Sequence, residues 1–212
     1  GTAGAMIGLL DACLITGFGP VTPIGITVSG GIATATLPSG QTFAQHAVVL
    51  VSGATPSALN GAQLVLTSSS TQITFATTAA DGAATGTIEI RYAPVGGWDK
   101  VFTGANKAVY RSADVTGPRH YLRVDDAGTQ AARVRGYESM TDVDTGTGPF
   151  PTDALMSGGG YWWGSAVASS AAVRWKLFAD SRVLLLAIAH YSHDSATAIA
   201  APLRGFGEPI AL

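Results

Sequence analysis

The residues that could do chemistry in this chain are few, and their spacing argues against most of the chemistry they suggest. His190, His193 and Asp194 stand as His-x-x-His-Asp. A zinc-type site needs two imidazoles converging on one point with a third ligand held elsewhere. At the end of an apolar strand, alternation sends positions 190 and 193 to opposite faces. A polar strand end with surface histidines is therefore expected, and no metal. Asp125 and Asp126 are adjacent, so in a strand they diverge and cannot act together on one bond. Asp142 and Asp144 are two apart and could share a face, even hold a hard cation with loop carbonyls; a solvated turn is the plainer expectation. Cys13 is the only cysteine, which excludes an intrachain disulfide and any multi-cysteine metal site. No Ser–His–acid or Cys–His arrangement has a local context that would specify it. The expectation is a protein without catalytic residues and without a cofactor.

One loop is more suggestive. Gly158-Gly159-Gly160-Tyr161-Trp162-Trp163 sets an aromatic cluster beside three glycines. Rigid rings there could stack on a sugar or fill a pocket on a partner. Alternatively, strand alternation puts Tyr161 and Trp163 on one side and Trp162 on the other, with at least one tryptophan in the core. The glycines match neither a P-loop nor a dinucleotide fingerprint, which need other spacings and a following helix.

The elements that must position these residues follow from composition and periodicity. Charged residues are 12% of the 212 and the net charge is −2, about half the usual charged share. Neither the whole chain nor any run of Lys and Arg offers a field for nucleic acid. The longest apolar runs, residues 5–10 and 183–189, are far short of the ~20 residues of a membrane-spanning helix, so no membrane insertion is expected. No basic segment precedes an apolar one as in a signal peptide. Charge also divides the chain. Before residue 91 there is no Lys or Arg and only Asp11, Asp81 and Glu89 are acidic, while all basic residues lie between Arg91 and Arg204. All four tryptophans follow the same boundary, where residues 93–97 (Ala-Pro-Val-Gly-Gly) read as a turn or linker.

Met6, Leu9, Leu10, Cys13 and Leu14 recur at helical spacing, with Thr2 as a candidate cap and Gly17 suited to the position past the end. Gly4 and Gly8 each lower helix propensity by about 1 kcal/mol, so the apolar stripe must dock on something; an interface is the expected use of it. From residue 24 the period becomes two. Strands are expected at 24–28, 32–37, 47–51, 63–67, 72–76 and 85–92, separated by Gly, Pro and Asn turns, the pattern of a small β-sandwich or barrel. Later, Val134 opposes Arg133 and Arg135, and Val173, Trp175 and Leu177 oppose Arg174 and Lys176, as in sheets with one charged face. Residues 182–189 suit a central strand, and 142–170 read as long loops. The expected fold is mainly β.

Several stretches look familiar together: residues 10–19 (Leu-Asp-Ala-Cys-Leu-Ile-Thr-Gly-Phe-Gly), 97–111 (Gly-Trp-Asp-Lys-Val-Phe to Val-Tyr-Arg), 122–126 (Leu-Arg-Val-Asp-Asp), 134–140 and 145–151. In that order they resemble a family of structural (virion) proteins of tailed bacteriophages and prophages, over residues 8–20 and about 96–190. In shorter members the first stretch runs almost directly into the second. The resemblance therefore implies a discontinuous β-rich core domain, 1–20 plus 96–212, of sandwich- or barrel-like form with a short N-terminal helix. Residues 21–95 would be an inserted Ig-like β module. It also implies a capsid-decorating, neck or tail-associated protein in the virion, whose partners are copies of itself and other virion proteins, with a host cell surface as a further candidate. The family carries no catalytic or ligand residues to transfer.

Overall fold

A computed structural model describes residues 1–189 and 201–207. It divides the chain into two compact units: Thr16–Pro94, and Gly1–Ile15 together with the chain from Val95 onward. Each boundary lies within a few residues of the charge and periodicity boundaries in the sequence.

The first unit is a two-sheet sandwich. Its strands are β1 (Phe18–Val21), β2 (Gly25–Ser29), β3 (Ile32–Thr36), β4 (Val48–Ser52), β5 (Gly61–Leu64), β6 (Thr67–Ser68), β7 (Gln72–Ala76), β8 (Gly82–Ala83) and β9 (Glu89–Tyr92). They form antiparallel sheets ordered β1-β9-β4-β5 and β6-β7-β3-β2-β8. Alternation decides which side chains meet: Ile26, Val28, Ala33 and Ala35 from one sheet face Val49, Val51 and Ile90 from the other, with Phe75 fully buried among them. The strand expected at 63–67 is two strands. Val65 is buried and its N–H donates to Ala47 O, while the next N–H, of Leu66, donates to Thr74 O; the chain crosses there from one sheet to the other. The strand expected at 85–92 begins only at Glu89, and Thr85 makes an isolated bridge to Thr55.

The second unit opens with helix α1 (Ala5–Asp11), which widens into a π-helical turn, Ala12–Thr16. A six-stranded sheet follows, β10 (Trp98–Gly104), β11 (Lys107–Ser112), β12 (Tyr121–Asp125), β13 (Ala131–Met140) and β14 (Gly146–Phe150) in that order, with β15 (Gly160–Trp163) also on β13. A three-stranded sheet, β16 (Arg174–Ala179), β17 (Val183–Ala189) and β18 (Leu203–Gly207), completes the unit. Helix and both sheets share one core, in which Leu10, Leu14, Tyr110, Leu122, Val124, Leu184 and Leu186 are essentially inaccessible. Among the described residues no helix is long and apolar enough to cross a membrane.

Three sequence expectations change here. Met6, Leu10, Cys13 and Leu14 do form a stripe, but it faces the unit's own core. Only Leu9 is half-buried, so the stripe is not the interface expected of it. Thr2 makes no side-chain cap; Gly4 occupies the cap position in a left-handed conformation. The region read as long loops, 142–170, contains β14 and β15. Strand β14 has no apolar alternation because two of its positions have room only for glycine: a Cβ on Gly146 would meet Ser139 O and the side chains of Tyr137 and Met140, and one on Gly148 the Glu138 carboxylate. Gly17 does end the helical segment, at φ 76°, where any Cβ would collide with Tyr92 O.

Candidate functional site

The aromatic cluster lies on β15, which pairs with the first half of β13: Ala131 with Trp163, Ala132 with Trp162, Arg133 with Tyr161. Alternation then sorts the rings. Trp162 is buried in the core with Ala132 and Val134, while Tyr161 and Trp163 are 54% and 44% exposed on the opposite face. Their ring centroids are 6.4 Å apart and their planes are inclined by 29°. Of the three aromatic candidates, two are therefore surface groups and Trp162 is structural.

The pair is held from below. The Arg133 guanidinium lies over the Tyr161 ring at 4.0 Å, a cation–π contact, and donates to the carbonyl oxygens of Ser157 and Gly158. That clasp explains two of the three glycines. Gly158 and Gly159 have φ of 71° and 89°, and a Cβ on them would press on the Arg133 guanidinium and on Val134 O respectively. Arg204 Nε on β18 donates to Tyr161 O at 3.2 Å.

The acidic candidates do structural work. Asp142 Oδ1 accepts the N–H groups of Asp144 (2.7 Å) and Thr145 (2.8 Å), closing a turn. Asp144 is paired with Lys107 (2.8 Å) and Arg123 (2.6 Å). These donors hold both carboxyls below their ordinary range, and a carboxylate already matched by two cations has little to offer a third. Among the described residues no group of three or more His, Cys, Asp or Glu side chains could hold a metal. His190, His193 and Asp194 lie outside the described residues.

Asp126 diverges from Asp125, as adjacency requires, and is 4% exposed. Its Oδ2 accepts from the N–H of Met6 (2.7 Å) and Ile7 (3.4 Å), and its main-chain oxygen from Gly4 N–H (2.9 Å). A carboxylate some 120 positions away thus caps α1, satisfying N–H groups that a helix start leaves open. Burial pushes this carboxyl above its ordinary value, against the opposing pull of those donors. One turn along, Tyr110 Oη donates to Asp11 Oδ1 (2.8 Å), whose other oxygen accepts Lys100 Nζ (2.8 Å). Burial and the Asp11 carboxylate drive the Tyr110 phenol far up, and burial pushes the Cys13 thiol up to about 11. Asp11, Lys100, Tyr110 and Asp126 come from three of the stretches that carry the family resemblance. In this fold those stretches build the joint between helix and sheet.

Sequence reasoning missed Arg133 and Arg204 as neighbours of the aromatic pair, and Asp126 as a cap. The alternation of Arg133 with Val134 was a usable signal for the first. Nothing local marks the other two, because both act across strands distant in sequence. Comparison with protein-family models, with curated proteins and with solved structures finds no match to this chain.

Proposed function

We propose that the protein is a structural component of a tailed-phage virion that works through protein–protein contacts. The observation that carries this reading is the outer face of the β16-β17-β18 sheet. Register aligns Phe178 with Leu185 and Gly205, Lys176 with Ala187 and Leu203, and Val183 with Gly207. Phe178, Leu203, Val183 and Leu185 on that face are 62%, 59%, 37% and 36% exposed. Apart from Arg174 and Lys176 at the start of β16 the face is apolar, which is costly in water and marks an association surface. The sparse charge of the chain and its resemblance to virion proteins agree with a part held by neighbouring subunits, and a second copy of this chain is the proposed occupant. The sandwich unit has the size and two-sheet build of an Ig-like decoration module.

The test has two arms. Mass spectrometry of purified particles should find the chain among their proteins. Light scattering should show the full chain self-associating, and a Phe178→Ser, Leu203→Ser variant should be monomeric with an unchanged circular dichroism spectrum. A monodisperse monomer that is absent from particles overturns the reading. A second reading, attachment to a host-surface glycan, is favoured by the exposed Tyr161–Trp163 pair.

A further inference from the structure

The charge around the aromatic pair narrows what it can bind. Neighbouring arginines on this face are neutralised: Arg135 by Asp153 (2.5 Å), Arg123 by Asp125 (3.2 Å) and Asp144 (2.6 Å). Arg133 and Arg204 are not; among the described residues neither has a carboxylate partner. Asp125 stands opposite Arg133 in strand register, but its carboxylate is engaged by Arg123. Two cations without a counterion among the described residues therefore bracket Tyr161, one on its ring and one on its carbonyl oxygen.

We infer that this surface binds an acidic polysaccharide, and the inference rests on the second reading above. The C–H face of a sugar ring packs on the exposed parts of Tyr161 and Trp163, and a carboxylate on that sugar or the next pairs with Arg133 and Arg204. Each feature has a use in such a complex. The aromatic groups supply apolar contact at little entropic cost, since they are short of rotamers and already ordered. Guanidinium groups suit planar bidentate pairing with a carboxylate. The Arg133 clasp by Ser157 and Gly158 fixes one cation before the ligand arrives. The patch is only four side chains wide, two rings and two cations, which suits a polymer that gains by repeating a small contact many times better than a protein partner that needs a broad footprint.

The full chain titrated with oligogalacturonate and followed by tryptophan fluorescence provides the test. A neutral cello-oligosaccharide of equal length and polyglutamate serve as comparison ligands. Binding to the uronate is expected to exceed both and to fall by about tenfold or more at high salt. Trp163→Ala and Arg204→Gln should each weaken it by about tenfold; Trp163 is exposed and Arg204 half-buried, so each variant's thermal midpoint is measured beside the titration to separate lost binding from lost fold. Arg133→Gln, which also loosens the loop clasp, is read against Arg204→Gln. Equal binding of the neutral and acidic oligosaccharides overturns the acidic inference and leaves the glycan reading standing. Equal binding of polyglutamate overturns the sugar specificity. No binding to any of the three, or binding untouched by Trp163→Ala and Arg204→Gln, overturns the site.

Discussion

In the sandwich unit the space between the sheets is closed by aliphatic side chains with Phe43 and Phe75, and among the described residues no charged group is buried in it. In the helix-bearing unit a capping carboxylate and a fully buried tyrosine sit beside the leucines, with the Asp11–Lys100 pair at the edge. The sheets of the sandwich mix neighbours along the chain, such as β2 with β3 and β4 with β5, with distant pairs, β1 and β4 with β9 and β3 with β7. The sheets of the helix-bearing unit instead pair mostly consecutive strands, and its distant link is the helix. The helix-bearing unit joins residues 4–11 to residues 98–126, across the whole length of the sandwich sequence. A seven-residue helix with a glycine inside it and no side-chain cap from its own segment cannot hold its place by propensity. Directional polar contacts fix where it docks, whereas an alternating strand needs only its apolar face covered. In the helix-bearing unit Val95 N–H donates to Cys13 O at 2.8 Å, and in the sandwich Phe18 pairs with Tyr92. Each unit holds the two ends of its own break side by side, so joining them costs little loop-closure entropy.

If the units differ in this way, substitutions should separate them. Phe75→Ala should cost about 3–5 kcal/mol and raise amide exchange through residues 16–94, while Leu10→Ala should cost about 2–5 kcal/mol and raise it in the helix-bearing unit. Equal spreading of either effect over both units would dissolve the distinction. Asp126→Ala should cost about 1–2 kcal/mol through the lost cap, measured by denaturant unfolding. Asp126→Asn should cost less, because the amide oxygen still accepts from Met6 and no charge is buried.

Acid should sharpen the contrast. The carboxyls of Asp114, Asp142, Asp144, Asp153 and Asp180 are held below their ordinary value by arginine, lysine and main-chain donors. A lowered folded pKa contributes stability that is present above the unfolded value, near 3.8, and lost as pH falls below it. Asp126, raised by burial, works the other way: the folded form binds its proton more readily, so its ionisation weakens folding as pH rises through the folded value. The five lowered groups outnumber it, and all lie in the helix-bearing unit. Exchange measured from pH 5 to pH 2 should therefore show that unit loosening first; simultaneous loosening of the sandwich would contradict the comparison. The smallest effect expected is a gain. Gly8 is exposed within α1 and a Cβ there meets nothing within 4 Å, so Gly8→Ala should stabilise the helix-bearing unit by up to about 1 kcal/mol, read as a raised unfolding midpoint.

Much of the molecule is legible in its sequence. Period-two alternation at residues 24–37, 47–51 and 72–76 locates the sandwich strands, because a residue's side is fixed by parity once the strand exists. The same parity separates Trp162 from Tyr161 and Trp163, and Asp125 from Asp126. The helical spacing of Met6, Leu10 and Leu14 is equally plain, and so is the stop at Gly17. Strand β14 was not legible, since its glycines answer to crowding by Tyr137, Glu138 and Met140 and carry no apolar rhythm.

The amino-acid order determined the helix and most of the sandwich strands, which of their side chains share a face, and where the charge-poor unit begins and ends, because these depend on residues a few positions apart. The tertiary structure alone decided what each face meets. It turned the helix stripe inward, brought Asp126 to the start of α1, and set Arg133 and Arg204 about Tyr161. Such pairings depend on which distant strands become neighbours, and sheet topology fixes that through the burial of the whole core rather than through any local run of residues.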